Sequence, residues 1–492
     1  MGSIEQAPQH LQISLSATYN VGRPLSVILA TNEDRTRDIN DYHAACRSAP
    51  QLGCDSIRET LSPHPIFTDR SFVLQLKDFH EALVKAVVNI VDRWWTDSTA
   101  NFPARMPLES PVEAILQWID ERSRMKEMPE FRDRIGNWRP DFLLADDGSG
   151  SVPKFQLCEI NSRVPYNALI YTAYKHEIMQ KCLGAKSNLK PAGDCNGMVE
   201  SLVGIFNAEL PIHLVRGRDR LERQEVIQLL EAKTGLRPRL VRLADLQLMP
   251  DPSSATGTSL YCRGSAMLNE EDTPEKVHQV TLSLFPDEFS LLSHDMLRQL
   301  ALLTVHDFRT SLLVNDGRFL GIVLQELNGL VNTHKVLTPT QARLIKECTV
   351  PTILPGSPEL KQWVDRRHRG EVTKNGYILK AARQSRGLGH LLGDELTEEQ
   401  WEGIMLNMQD PSIRADATCF ALQPYIRQVT FDIVSNEDKV ENDMHMVGTY
   451  YTGNGRFLGL GPWRSGRAKI CNVLGSGCIS LYSITQADIA TI

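Results

Sequence analysis

Residues 139–161 read RPDFLLADDGSGSVPKFQLCEIN, and this stretch decides which fold the sequence predicts. Asp141–Ala145 and Phe155–Ile160 are short apolar runs, which are typical of strands. The Asp, Gly and Ser residues between the two runs favour a turn. The stretch is therefore predicted to form a β-hairpin.

Polar side chains of this hairpin indicate its chemistry. Arg139 and Asp141 are two residues apart in the first strand, and Glu159 and Asn161 are two apart in the second. Because residues i and i+2 of a strand point to one face, pairing of the strands brings the four groups together. Mg²⁺ prefers such oxygen ligands, so Asp141, Glu159 and Asn161 are the predicted metal ligands. Arg139 is the predicted catalytic group, since a guanidinium clamps a phosphoryl group. Either pair alone is more often an ordinary hairpin edge; the four together favour the site.

A second candidate site is residues 377–389, YILKAARQSRGLG, in which a strand is followed by a loop with two Arg and two Gly. Glycines allow backbone N–H groups to approach phosphates closely, and Lys380 would neutralise phosphate charge. The predicted nucleotide-binding residues here are Lys380, Arg386, Gly387 and Gly389. The loop is not a Walker A motif, because no Gly-Lys-Ser/Thr follows. Taken alone, a solvent-exposed loop is the commoner reading.

Composition excludes several classes of protein. The chain has 492 residues, and its 53 basic and 60 acidic residues are interleaved to a net charge of −7, without the basic stripe of a nucleic-acid binder. No apolar run approaches the ~20 residues needed to span a bilayer. The ten cysteines are scattered without a C-x-x-C pair, and no signal peptide is evident. A cytoplasmic protein with reduced thiols is expected, binding neither nucleic acid nor membrane.

The rest of the chain is predicted to alternate helices and strands. Residues 1–70 are expected to be irregular, with one strand near Leu25–Ala30. Helices are predicted over Phe72–Trp95, Pro111–Glu121, Leu221–Lys233, Ser293–His306 and Thr397–Asn407. Strands are predicted over Ile212–Val215, Leu240–Leu243, Gln279–Leu284, Phe319–Leu324, Gly376–Ala382, Cys419–Tyr425, Met446–Thr452 and Arg456–Gly461. The units between residues 212 and 324 are typical of a layered sheet with helices, and they lack a G-x-G-x-x-G fingerprint.

The motifs together resemble the ATP-grasp superfamily. Most of its members place the nucleotide lysine before the metal-binding Glu-x-Asn, whereas here Glu159-Ile160-Asn161 precedes Lys380. That order is similar to the circularly permuted members, of which glutathionylspermidine synthetase is the familiar example. The resemblance implies that Gln423 lies at the adenine hinge, where Pro424 replaces an acidic residue, and that Lys346 is a second nucleotide lysine.

The resemblance implies an α+β protein with a circularly permuted ATP-grasp fold and a Rossmann-like pre-ATP-grasp domain. The expected divisions are the N-terminal segment 1–70, a metal-binding lobe at 71–195 and 440–492, the Rossmann-like domain at 205–335, and a nucleotide-binding lobe at 338–435. The tail 448–464, which includes Gly-Leu-Gly-Pro-Trp-Arg, resembles the strands that return to the metal lobe.

The implied activity is that of an ATP- and Mg²⁺-dependent ligase. It would activate a small-molecule carboxylate as an acyl phosphate and join it to an amine, releasing ADP and phosphate. A kinase that shares the motifs and a non-catalytic nucleotide-binding protein are the alternatives. Five further residues are candidates for a substrate pocket, with surface or core roles equally favoured: Arg163, Tyr166, Asn167, Arg309 and Arg464.

Overall fold

A computed structural model describes residues 10–48, 62–146, 148, 153–166, 168–184, 188–218, 224–254, 256–263, 274–384, 388–414, 417–471 and 479–487. The strands are β1 His10–Gln12, β2 Ile66–Thr68, β3 Asn137–Ala145, β4 Lys154–Asn161, β5 Leu189–Pro191, β6 Ile212–Arg216, β7 Arg239–Arg242, β8 Leu246–Pro250, β9 Thr258–Cys262, β10 Glu275–Lys276, β11 Gln279–Ser283, β12 Tyr377–Ala381, β13 Leu391–Leu392, β14 Phe420–Pro424, β15 Phe431–Val434, β16 Val440–Gly453, β17 Arg456–Leu460, β18 Trp463–Gly466, β19 Ile479–Leu481 and β20 Ser483–Gln486.

The helices are α1 Leu15–Val21, α2 Asn32–Arg47, α3 Arg70–Arg93, α4 Phe102–Arg105, α5 Ser110–Arg124, α6 Leu169–Leu183, α7 Cys195–Val203, α8 Gln224–Thr234, α9 Pro286–Phe289, α10 His294–Leu303, α11 Phe319–Asn332, α12 Pro339–Cys348, α13 Pro358–His368 and α14 Glu398–Asn407. Thr310–Val314 forms a π-helical turn, and short 3₁₀ turns occur at Val27–Leu29, Phe131–Asp133, Leu243–Asp245, Lys374–Gly376 and Gly393–Glu395. The protein is thus of mixed α+β class with several sheets. None of the helices within the described ranges is both long and apolar enough to cross a membrane.

The largest sheet joins strands from two distant parts of the chain. Its order is β19-β18-β16-β3-β4, and β15 and β17 also pair with β16. The predicted hairpin β3–β4 is present, and β16 lies antiparallel to β3. One face of this sheet is covered by α3, whose residues at helical spacing are buried. Phe79 of α3 packs edge-on against Phe155 of β4, with 5.2 Å between ring centroids.

A smaller sheet, of order β13-β12-β14, has a core of its own. Leu379 and Leu422 pack there with Trp363 of α13 and Trp401 of α14. The segment 349–353 connects the two sheets by backbone hydrogen bonds. The Val350 N–H donates to the Leu157 carbonyl of β4 at 2.9 Å, and the Ile353 N–H donates to the Leu422 carbonyl of β14 at 2.9 Å.

The middle of the chain contains two three-stranded sheets. In the first, of order β11-β6-β7, the strands are parallel, as expected for a strand–helix–strand unit. In the second, of order β10-β9-β8, they are antiparallel. A four-stranded sheet, β1-β2-β20-β5, brings the N-terminal segment against the last described strand.

Two local expectations were wrong. The segment 1–70 is not irregular, because its described part contains α1, α2, β1 and β2, and the run Leu25–Ala30 contains the 3₁₀ turn Val27–Leu29 rather than a strand. Helix α2 is polar and buries few residues, so its apolar periodicity is weak; the Thr31 hydroxyl caps it by accepting from the Asp34 N–H.

Phe319–Leu324 begins helix α11 instead of forming a strand. A short, wholly buried apolar run suits either structure, and only its length distinguishes them.

Candidate functional site

The hairpin register brings the four predicted groups to one place. Asp141 lies directly opposite Glu159, and Arg139 directly opposite Asn161. The register then shifts, so that Phe142 faces Leu157 and one extra residue bulges out of β4. β-Bulges of this kind re-aim the neighbouring side chains and recur beside active sites.

Asp141 is enclosed and held by two guanidinium groups. Its side chain is 1% exposed, and the Arg139 Nε donates to its Oδ1 at 3.2 Å. Arg464 of β18, two strands away, donates to Oδ2. Burial raises the pKa of Asp141. Arg139 and Arg464 lower this pKa, whereas the nearby Glu159 raises it, and the net shift is upward. Asp141 therefore sits where added positive charge is favourable, since a cation stabilises its ionised form.

Lys380 brings the small sheet to the same place. Its Nζ donates to the Cys158 carbonyl in β4 at 3.1 Å, across 222 residues of sequence. Burial alone would raise the pKa of Glu159, but Lys380 foremost, with His390 and Asn161, holds that pKa well below its ordinary value. The pKa of Lys380 is raised: burial lowers it, and nearby Cys158, Glu159 and Asp141 outweigh that effect. The geometry thus presents a lysine cation beside a carboxylate, between two sheets.

His390 belongs to this group of residues although the sequence analysis did not single it out. Its Nδ1 accepts a hydrogen bond from the Ala381 N–H at 3.3 Å, next to Lys380. Burial foremost, and then Lys380, lower the pKa of His390 to about 4, while Glu159 opposes them. The imidazole is therefore neutral near pH 7. The sequence feature that could have identified His390 is its position one residue beyond the glycine-rich loop.

The remaining predicted nucleotide residues are distributed differently. Arg386 and Gly387 lie outside the described residues. Gly389 adopts a φ of +74°, a left-handed conformation that favours glycine, and a Cβ there would lie 3.2 Å from the Ala381 Cβ. Gln423 is 2% exposed, and its amide nitrogen donates to the Thr352 hydroxyl at 2.9 Å, so its side chain already has a partner. Lys346 lies on the exposed side of α12, and its role stays a prediction.

The first arginine of the loop, Arg383, is held by acidic side chains from other parts of the chain. Arg383 forms ion pairs with Glu109 at 2.8 Å and with Asp316 at 3.3 Å. Close by, the Gly317 N–H donates to the Ala382 carbonyl at 2.9 Å. These contacts anchor the end of β12, and with it the orientation of Lys380 in the cleft.

The candidate pocket residues separate into three groups. Arg464 reaches the site through Asp141. Arg163 stacks on Phe285, with its guanidinium carbon 4.0 Å from the ring centroid. Arg309 is buried in an ion pair with Asp307 at 2.7 Å, and Tyr166 is buried in a hydrophobic cluster. Asn167 lies outside the described residues. Arg309 and Tyr166 therefore have core positions.

Together these groups, called the cleft here, lie where the large and the small sheet meet, and their chemistry suits a polyanion and a divalent cation. Two carboxylates and an amide supply oxygen ligands, while Arg139, Arg464 and Lys380 supply positive charge around them. Such an arrangement stabilises charge that develops on a phosphoryl group during transfer.

Comparison with known proteins shows the family to which the chain belongs. A family model described as the AnkG N-terminal domain matches residues 79–313. The chain belongs to the ATP-grasp enzymes, as the cleft motifs predicted. The ATP-grasp enzyme ankG of Aspergillus thermomutatus is 37% identical to it over 481 residues, which cover 94% of this chain and 97% of that protein. A glutathione synthetase-like effector, GSS30, from Globodera pallida in its apo form matches with a TM-score of 0.49 and 12% identity, over 92% of this chain and 97% of that one.

Proposed function

We propose that this protein is an ATP- and Mg²⁺-dependent carboxylate–amine ligase that forms an amide through an acyl phosphate and releases ADP and phosphate. One observation carries the proposal: Lys380 of the small sheet donates to the Cys158 carbonyl of the large sheet, and its charge interacts there with Glu159 and Asp141. A phosphate chain between a lysine and a carboxylate-bound cation suits γ-phosphoryl transfer.

The residues present fit a magnesium ion. Glu159, Asp141 and Asn161 offer oxygen atoms on one face, and these are the ligands that Mg²⁺ takes alongside phosphate oxygens. The Asn161 amide now donates to Glu159 at 2.8 Å, so it would turn its oxygen inward to bind. When bound, the metal would neutralise charge on the transferring phosphoryl group.

The cationic side chains have separate tasks in this proposal. Lys380 holds the phosphates as a compact point charge, and Arg139 orients the γ-phosphoryl group for in-line attack by the substrate carboxylate. Arg386, Gly387 and Gly389 complete the phosphate loop, Gln423 lies at the adenine hinge, and Lys346 is the second lysine. Exclusion of water is needed because an exposed acyl phosphate hydrolyses.

The proposal includes the division of the chain and its permutation. Residues 71–195 and 440–492 form the metal lobe, which the pairing of β16 with β3 supports. Residues 338–435 form the nucleotide lobe, supported by the separate core of the small sheet. The parallel order β11-β6-β7 supports a Rossmann-like domain at 205–335. The protein would act in the cytoplasm, where ATP is supplied.

A trapping experiment tests the ligase mechanism. Amino acids and dicarboxylic acids are incubated one at a time with the protein, ATP, Mg²⁺ and hydroxylamine. An acyl phosphate is attacked at carbon, so we expect a hydroxamate to form in step with ADP and phosphate. A phosphate ester that resists hydroxylamine would identify a kinase instead. AMP and pyrophosphate would contradict γ-phosphoryl transfer altogether.

A further inference from the structure

A second cluster of ligand-type side chains lies outside the cleft, where the parallel and antiparallel sheets of the middle region meet. His213 is in β6, Cys262 ends β9, and Glu275 begins β10 directly opposite Cys262. One potential ligand atom from each of the three residues lies within 4.8 Å of the other two. The residues come from three different strands, so the fold and not local sequence assembles them.

His213 is the informative member of this cluster. Its side chain is fully buried, and neither ring nitrogen makes a hydrogen bond of normal geometry to any described residue, although backbone groups of Gln279 and Pro211 favour its charged form. Buried polar groups are almost always satisfied, because leaving one without a partner costs free energy. The His213 Nε2 lies 3.7 Å from the Glu275 Oε2, which is too far for a hydrogen bond and close enough to share a ligand between them.

The separations fit a small tetrahedral cation. Zinc bonds of about 2.0–2.3 Å place neighbouring ligand atoms about 3.3–3.7 Å apart in a tetrahedron. The His213–Glu275 separation is 3.7 Å, and the Cys262 Sγ lies 4.0 Å from the Glu275 Oε2. The three atoms would close on an ion by small side-chain movements.

We propose that His213, Cys262 and Glu275 bind a divalent transition-metal ion of the Zn²⁺ type. Imidazole, thiolate and carboxylate together select zinc or cobalt over magnesium and calcium. Binding releases the Cys262 thiol proton to solvent, and the fourth position is left to water. Arg239 donates to the Glu275 Oε2, so this guanidinium would turn to the other carboxylate oxygen, Oε1, when an ion binds. The ion would tie the parallel sheet to the antiparallel one.

Cobalt titration of the full-length protein, after removal of metals by a chelator, tests the site. Co²⁺ bound by a thiolate gives a charge-transfer band in the near ultraviolet, which oxygen ligands do not. We expect about one equivalent to produce the band, Cys262→Ser to abolish it, and His213→Gln to weaken Co²⁺ binding at least ~10-fold. Cys195→Ser, at a partly buried cysteine of α7, and Glu159→Gln, in the cleft, should keep the band.

A second measurement guards against variants that fold poorly. Glu275 is 21% exposed, so Glu275→Gln should fold, as circular dichroism would verify. Zn²⁺ should raise the melting temperature of the parent and of His278→Gln, an exposed histidine nearby, and have little effect on Glu275→Gln. An equal shift in Glu275→Gln, or a parent without the cobalt band, overturns the proposal.

Discussion

The cleft and the segment 307–318 both bury aspartates that pair with arginines, but the arginines differ in how far they are exposed. In the segment, each aspartate pairs with an arginine two residues later: Asp307 with Arg309 at 2.7 Å and Asp316 with Arg318 at 2.8 Å. In the cleft, Asp141 takes its second arginine from a strand that lies 323 residues away in sequence.

The exposure of the cations also differs. The side chains of Arg309 and Arg318 are 7% and 1% exposed, whereas those of Arg139 and Arg464 are 20% and 14% exposed. Buried charge by itself therefore indicates structure. Charges that converge from separate elements and remain accessible indicate a site, because a ligand can still reach them.

The largest effect, a loss of stability, is expected in the segment 307–318. Arg318→Met should lower the free energy of unfolding by about 3–5 kcal/mol, because Arg318 makes the two close side-chain hydrogen bonds to the buried Asp316 carboxylate, which then keeps, among the described cations, only the longer contact with Arg383 at 3.3 Å. Arg139→Met should lower it by about 1 kcal/mol or less, since Asp141 keeps Arg464 and Arg139 is partly solvated. Urea unfolding followed by tryptophan fluorescence measures both. Equal losses would remove the distinction between the two regions.

In the cleft, Glu159→Gln should act on turnover and spare the fold. Loss of a metal ligand should reduce Mg²⁺-dependent ATP turnover on the order of 10³-fold, equivalent to about 4 kcal/mol of transition-state stabilisation. Stability should fall modestly, because Lys380 loses a carboxylate that it holds ionised, and relief of the repulsion with Asp141 offsets part of that loss. The matched control is Glu437→Gln, at an exposed glutamate. If both variants turn over ATP like the parent, the hairpin carboxylates are structural.

Lys380→Met should weaken binding of a non-hydrolysable ATP analogue with Mg²⁺ about 10–100-fold, or about 1.4–2.7 kcal/mol, since a phosphate contact is lost. Lys361→Met, at an exposed lysine of α13 in the same lobe, is the control. Titration calorimetry measures both, and Lys346→Met in the same series tests the second predicted lysine. If the Lys380 and Lys361 variants bind the ATP analogue with similar affinity, Lys380 has no special role in nucleotide binding.

The smallest effect is expected for His390→Asn. Because burial lowers the pKa of His390 to about 4, the imidazole is already neutral across the working range. Turnover should change by less than about tenfold, and the shape of the kcat/KM profile between pH 5 and 8 should match that of the parent. If one limb of the kcat/KM pH profile shifts in the variant, His390 titrates during catalysis.

The spacing of residues along the two hairpin strands was enough to predict the part of the cleft that the hairpin supplies. Arg139 and Asp141, and Glu159 and Asn161, lie two apart in strands joined by a clear turn, and the observed register sets the pairs opposite each other. His390 and the helix beginning at Phe319 were missed, because neither a lone histidine nor a short apolar run carries a periodicity that identifies it.

The sequence by itself determined the hairpin, the apolar stripe of α3, the strand that bears Lys380 and the order of the motifs, because strand alternation and helical periodicity act over a few residues. Tertiary structure alone decided that Lys380 reaches the Cys158 carbonyl, that Arg464 reaches Asp141, and that His213 meets Glu275. Those contacts join strands far apart in the chain, and their partners are chosen by packing of whole sheets, which no local pattern encodes.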